Sequence, residues 1–271
     1  MNHRKVSERE IRMYDQRIER LRGVEHLPSP VTKADTGSDG TASLPKLTLD
    51  LFRKAAKAFA ADLCHAAIPS LYGATDGKAV GTKVEVLFKE FLEQKYNFPI
   101  GNAANGLDFP SLNLDLKVTS IRQPQSSCPF RSAIQKIYGL GYNLLIIVYE
   151  KHDIASDKAS YLEIHNVIYI DKSRTGDYTL TRSIREIVAE ANDRYGSLES
   201  AIEDLDALLQ DKNVPIDDVG RRQLAERLIH DLPEQGVLTI SNALQWRLQY
   251  GRAISTAVAQ TISPEVEDLY A

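Results

Sequence analysis

GLDFPSLNLDLKVTS, residues 106–120, holds two aspartates and a lysine in a segment that otherwise reads as two short strands around the turn PSLN. Successive side chains of a strand point to opposite faces. Asp115 and Lys117 therefore share one face, while Leu114, Leu116 and Val118 share the other. Asp108, flanked by Leu107 and Phe109 on or beside the neighbouring strand, can bring a second carboxylate to the same edge. Uncompensated charge next to a core is costly, so these three groups need a purpose.

The segments around the hairpin predict a helix–sheet–helix core. DGKAVGTKVEVLFKEFLEQK (76–95) predicts a helix that starts at Gly77 and Gly81 and has Val84, Leu87, Phe88, Phe91 and Leu92 as its apolar stripe. Upstream, LTLDLFRKAAKAFAADLCHAAI (47–68) predicts another, capped by Thr48 or Asp50. Downstream come a polar loop, RQPQSSCPF (122–130), and a helix, RSAIQKIYGLG (131–141), ended by Gly139 and Gly141. YNLLIIVYEK (142–151) is a continuous apolar run, the pattern of an interior strand covered on both faces, and YLEIHNVIYID (161–171) is a further strand. Residues 4–22 predict a charged helix, and 27–46 a long Gly/Pro/Ser/Thr-rich loop that is either disordered or a binding element. The expected organisation is an N-terminal helix and loop arm (1–46), an α/β core (47–177) and a mainly helical region (178–271).

Composition narrows the class. With 43% hydrophobic and 26% charged residues over 271 positions, the chain reads as an ordinary globular protein. It has no apolar run long enough for a membrane span, and its charged start is unlike a signal peptide. Cys64 and Cys128 suit two reduced thiols in a cytoplasmic protein, and no clustered Cys/His pattern suggests zinc. The six histidines are scattered without metal-ligand spacing and read as structural. A net charge of -4 excludes a uniformly basic coat, but basic charge is local. Lys117, Arg122, Arg131 and Lys136 fall in 116–136, and Arg247 and Arg252 in 238–262, with no acid in either stretch. The acids of SLESAIEDLDALLQD (197–211) read as a solvated helix face.

Two carboxylates converging on one spot repel and raise each other's pKa. Magnesium relieves this, because it binds one or two carboxylates and keeps waters and phosphate oxygens as its remaining ligands. It also polarises a phosphate and acidifies a bound water. A nearby lysine can orient or deprotonate that water and stabilise the added negative charge. Asp108, Asp115 and Lys117 thus have the chemistry of phosphodiester hydrolysis. The crowding also predicts that neutralising either aspartate leaves metal-free stability unchanged or raised.

D-x6-D-x-K with an apolar residue on each side of both acids resembles the PD-(D/E)xK nuclease superfamily, and most closely its MutH-like branch. DGKAVGTKVE, DFPSL and LDLKVT are similar to that branch's helix start ending in glutamate, its Asp-Phe-x-x-Leu segment and its acid-x-Lys strand followed by Thr. The likeness covers residues 76–120. The second acid is Asp where that branch has Glu, and the proline follows Asp108 by two residues instead of preceding it. The resemblance implies a restriction-endonuclease-like core, a central mixed β-sheet flanked by helices. It implies Glu85 as an outer carboxylate, Asp108 and Asp115 as metal ligands, and Lys117 as the catalytic lysine. Gln135 is either a polar residue touching the site, as the superfamily often has, or an exposed helix position.

The activity so implied is Mg2+-dependent, sequence-specific cleavage of double-stranded DNA by a Type II restriction enzyme. One catalytic hairpin per chain would then call for a homodimer on a palindromic site. A MutH-like nickase or repair nuclease, or an inactive DNA-binding protein of the same fold, are the alternatives. Base readout needs side chains that reach the grooves. SIRQPQSSCPFR offers Arg122, Gln123, Gln125, Ser126, Ser127 and Arg131 directly after the catalytic strand. SNALQWRLQYGR offers Asn242, Gln245, Arg247, Gln249 and Arg252 around Trp246 and Tyr250, or is an amphipathic helix with a buried Trp.

Overall fold

The computed structural model describes residues 44–99, 106–128, 131–193, 198–241, 247–259 and 263–271. The helix expected over 4–22, and nearly all of the loop expected over 27–46, lie outside them.

Helix α1, Leu49–Cys64, starts where the Thr48 side chain accepts a hydrogen bond from the Leu51 N–H at 3.3 Å. Its buried face, with Phe52, Ala56, Phe59, Ala60 and Leu63, packs on the central sheet. Helix α2, Gly77–Glu93, starts at Asp76, whose carboxylate accepts from the Lys78 N–H at 3.0 Å. It buries Val80, Val84, Phe88 and Leu92 into the same core.

The central sheet has the order β1-β3-β4-β7, with β1 Leu114–Ser120, β3 Asn143–Ile154, β4 Ala159–Ile170 and β7 Val266–Asp268. β1 runs parallel to β3, whereas β4 is antiparallel to both β3 and β7, so the sheet is mixed and flanked by helices. Residues 143–149 of β3 are buried throughout, as their unbroken apolar run requires. One core lies on the α1/α2 side of the sheet. A second, on the other side, gathers Leu144, Ile146, Val148, Ile168 and Ile170 with Leu238, Ile240, Leu248 and Tyr250.

A smaller antiparallel sheet, order β2-β6-β5, joins β2 Gln125–Ser127 to β6 Arg247–Gln249 and β5 Thr239–Ile240. A one-turn helix α3, Gln135–Tyr138, joins α4 Tyr178–Asp193, α5 Leu198–Asp211 and α6 Asp218–His230 around a third apolar cluster. α7, Gly251–Val258, follows β6. The acidic stretch is α5, with Ile202, Leu205 and Leu209 inward and Glu199 and Asp206 paired with Arg222 and Arg221.

Four local expectations are corrected. The first arm of the hairpin is not a strand, because Pro110–Leu112 forms a 3-10 turn and only Phe109 bridges to Leu114. The helix over 131–141 shrinks to one turn because the Gln135 amide closes the segment on itself, accepting from the Arg131 N–H at 2.8 Å and donating to the Leu140 carbonyl at 2.9 Å. Lys136 is buried and is not part of a basic surface. Arg247–Gln249 is a strand where the amphipathic alternative had a helix, and Asn242, Gln245 and Trp246 lie outside the described residues.

Candidate active site

β1 is an edge strand, and the charged residues collect at and around it. Pro110 begins the preceding turn, and Asn113, in the left-handed conformation at φ 49°, ends it. The Phe109 ring locks this reversal into the core, 4.9 Å from Phe52 and 5.9 Å from Phe88 between ring centres. Asp108 is thereby held just outside that core, where its Oδ2 accepts a hydrogen bond from the Leu116 N–H at 2.9 Å. The alternation expected along β1 is present. Leu114, Leu116 and Val118 face the α1/α2 core, and Lys117 Nζ lies 2.6 Å from Asp115 Oδ2.

The electrostatics match two acids forced together. Burial, then hydrogen bonding to Asp115 and repulsion from its charge, hold the Asp108 carboxyl above its ordinary range. The Leu116 N–H and Lys117 oppose this only in part. For Lys117, burial alone would favour loss of the proton, but attraction and hydrogen bonding from Asp115, aided by Asp108, raise its pKa above the ordinary value. Asp115 is 8% exposed at its side chain, so removing Lys117 would leave it without its close cation.

Glu85 lies one turn beyond Gly81, which faces Val118 on β1. Its Oε1 is 2.5 Å from Lys89 Nζ, and Lys89 is also 3.8 Å from Asp108 Oδ1. Lys89 therefore links the helix carboxylate to that of Asp108. The sequence pattern did not single it out, although its i,i+4 spacing from Glu85 is a legible signal.

Beside these groups lies an open cleft of about 770 Å³. α2 lines it with Asp76, Lys78, Gly81 and Glu85; β1 with Lys117 and Thr119; the small sheet with Gln125, Ser127 and Arg247. Thr119 ties the two sheets together: its hydroxyl accepts from the Gln125 N–H at 3.1 Å and donates to the carbonyl of Gln123 or Gln125.

The other expected DNA contacts are spread out. Gln123 lines the cleft, and Ser126 does too, although its hydroxyl is tied to the Tyr250 hydroxyl at 2.5 Å. Arg122 pairs with Glu150 at 3.3 Å. Arg131 is exposed, Gln135 is spent on its own loop, and Arg252 stacks over the Tyr178 ring at 4.3 Å. Cys64 and Cys128 are buried, and their thiols meet the hydroxyls of Tyr270 and Tyr142, each at 3.3 Å.

Among the described residues, Glu150, His152 and Glu163 are the one trio of potential metal ligands within 4.8 Å of one another. They sit on β3 and β4. Glu85, Asp108 and Asp115 form a wider arrangement. The donor set of Asp108 and Asp115 nevertheless suits a hard dication, since two oxygen-only groups share one partly buried place and Asp115 raises the cost of the Asp108 charge.

No helix among the described residues is long and apolar enough to cross a membrane. No solved structure matches the chain. A sequence model for the Type II restriction enzyme NspV matches residues 46–263. The Type II restriction enzyme NspV of Nostoc sp. (strain ATCC 29411 / PCC 7524) is 49% identical over 211 residues, spanning 78% of this chain and 92% of that protein. The segment carrying Glu85, Asp108, Asp115 and Lys117 falls inside the matched region, and the chain belongs to the NspV family of Type II restriction enzymes, which are site-specific deoxyribonucleases.

Proposed function

We propose that this restriction endonuclease hydrolyses both strands of its DNA site in a Mg2+-dependent reaction of the PD-(D/E)xK type, closest to the MutH-like branch. The contact that carries the reading is Lys117 Nζ at 2.6 Å from Asp115 Oδ2 beside Asp108, at the wall of an open cleft that Lys117 and Glu85 line. Asp108 and Asp115 would hold the ion, with Glu85 as the outer carboxylate; when bound, the ion supplies Lewis-acid polarisation of the scissile phosphate and a more acidic water.

The chain's own groups do the rest. Lys117, its pKa raised chiefly by Asp115, carries its charge through the neutral range in the metal-free protein. That suits it to orient the attacking water and to stabilise the extra negative charge on the phosphate, more than to accept a proton. Asp115 fixes the position of the ammonium. Lys89 keeps Glu85 turned toward Asp108. Each chain offers one such centre among the described residues, so a homodimer on a palindromic site would cut both strands. The enzyme would work in the cytoplasm, where restriction enzymes meet DNA. The 1–46 arm, the 47–177 catalytic core and the 178–271 region remain the proposed division of labour, the last contributing β6 to the cleft wall.

The test is cleavage of varied plasmid DNA with magnesium, followed by sequencing of the ends. Defined double-strand ends are expected. Absence of cutting across diverse DNA, or undiminished cutting by Lys117→Ala, would remove the proposal. Single nicks alone would replace the dimer reading with the nickase.

A further inference from the structure

The small sheet has two unlike faces. Cross-strand partners are Gln125 with Gln249, Ser127 with Arg247, and Thr239 with Gln249; Ser126 pairs with Leu248, and Ile240 with Leu248. Directly paired residues share a face. One face therefore carries Ser126, Leu248 and Ile240. Leu248 and Ile240 are buried in the second core, and Ser126 is tied to the buried Tyr250. The other carries Gln125, Ser127, Arg247, Gln249 and Thr239, all exposed except Gln125, which is half-buried.

Every side chain on that outer face is a hydrogen-bonding group, and none is an acid. Among the described residues no side chain pairs with those of Gln125, Gln249 or Arg247. A surface that only needed solvation would tolerate mixed charge here. Gln125, Ser127 and Arg247 line the same cleft as Lys117 and Glu85, and Thr119 of the catalytic strand anchors β2 by hydrogen bonds. The outer face is thus held in fixed register to the place where a phosphodiester would be cut.

From this we infer that the outer face of β2-β6-β5 enters the DNA major groove and reads base edges, with Arg247 directed to guanine and Gln125 and Gln249 to adenine. This inference rests on the nuclease reading above and names which surface selects its site. The major groove is ~12 Å wide and admits a two-stranded ribbon, and Arg–guanine and Gln–adenine are the bidentate pairings that geometry favours. The site accordingly contains both kinds of base pair. The buried face gives the ribbon stiffness, and its anchoring through Thr119 couples correct reading to the position of β1. Arg252 and Gln135, engaged elsewhere, take no part in base reading.

The test compares the unmodified enzyme with Arg247→Ala, Arg247→Lys, Gln125→Ala and Gln249→Ala. Cleavage is measured on the sequenced target and on a set of duplexes changed at one base pair each. Unchanged thermal melts serve as the check on folding, since Arg247 and Gln249 are exposed. Each Ala variant is expected to lose roughly 5- to 150-fold in discrimination at one base-pair position, and the position should differ between variants. Arg247→Lys keeps the charge but not the fork, so it should lose discrimination while the salt dependence of binding holds. A uniform loss of binding across all duplexes, with a shallower salt slope, would mean phosphate contacts and overturn the inference. So would variants that keep the full discrimination profile. If the unmodified enzyme cuts no DNA, the nuclease reading itself fails and this inference goes with it; cutting with intact discrimination in every variant sinks only the base-reading surface.

Discussion

Two groups of acidic side chains lie on or against the central sheet, and the tighter one is the poorer candidate for catalysis. Glu150, His152 and Glu163 bring their ligand atoms within 4.8 Å of one another. Internal partners already occupy them: His152 meets Glu163 at 3.2 Å, and Glu150 faces Arg122 at 3.3 Å and His165 at 3.8 Å. None lines the cleft, which Glu85 and Lys117 of the other group do. At β1 the carboxylates are looser but unbalanced, because Asp108 is pushed above its ordinary range while a cation is held beside Asp115. Proximity alone does not make a reactive site. Residual repulsion next to an open cleft, with a lysine in place, is the more informative sign.

The largest effect that should separate the two groups is on cleavage. Lys117→Ala or Asp115→Asn should lower the rate of plasmid cleavage by about 10²–10³-fold or more, the scale of removing one charge-stabilising group. Glu163→Gln should cut like the unmodified enzyme. A comparable loss in Glu163→Gln would reverse the ranking of the two groups.

How much of this was legible follows from what each signal depends on. β3 was visible because a run such as LLIIV needs burial on both faces, whatever lies around it. The shared face of Asp115 and Lys117 followed from strand alternation and reappears as their 2.6 Å contact. The first hairpin arm was misread because Pro110 turns the chain before a second strand residue can pair. β2, β5, β6 and β7 span two or three residues each, too short for any period, and are fixed by partners far along the chain. Ser127, Arg247 and Gln249 could each be suspected, but their common face depends on the pairing of residue 127 with 247. Gln135 reads from sequence as either a site residue or an exposed helix position, and its amide is used instead to close its own loop.

The next effect is on stability, and here the structure separates two aspartates that crowding alone would treat alike. Asp115→Asn removes the close counter-ion of a largely buried lysine. Breaking such a pair from one side costs about 3 kcal/mol, so urea unfolding in EDTA should show a clear loss for this variant. A smaller difference should distinguish the groups through metal. With Mg2+ at ten times its Kd, the unmodified protein and Glu163→Gln should each gain about 1.4 kcal/mol over the EDTA state. Asp108→Asn should gain almost none. A gain lost in Glu163→Gln and kept in Asp108→Asn would place the ion on the β3–β4 pair of strands.

The smallest effect is the most specific. Asp108 has a folded pKa raised above 3.8 by burial and by Asp115. Its ionised form therefore costs stability above the folded pKa, and the cost vanishes below 3.8, where folded and unfolded chains are both protonated. In metal-free buffer the native protein should lose stability as pH rises through that window and then level off. Asp108→Asn keeps a side-chain oxygen to accept the Leu116 N–H but has no proton to lose. The variant should match the native protein near pH 3.5, draw ahead as pH rises, and hold a constant lead at neutral pH. A variant less stable than the native protein at pH 7 would mean that the Asp108 charge is a structural anchor for the β1 edge, and the contrast between a strained site and a satisfied one would dissolve.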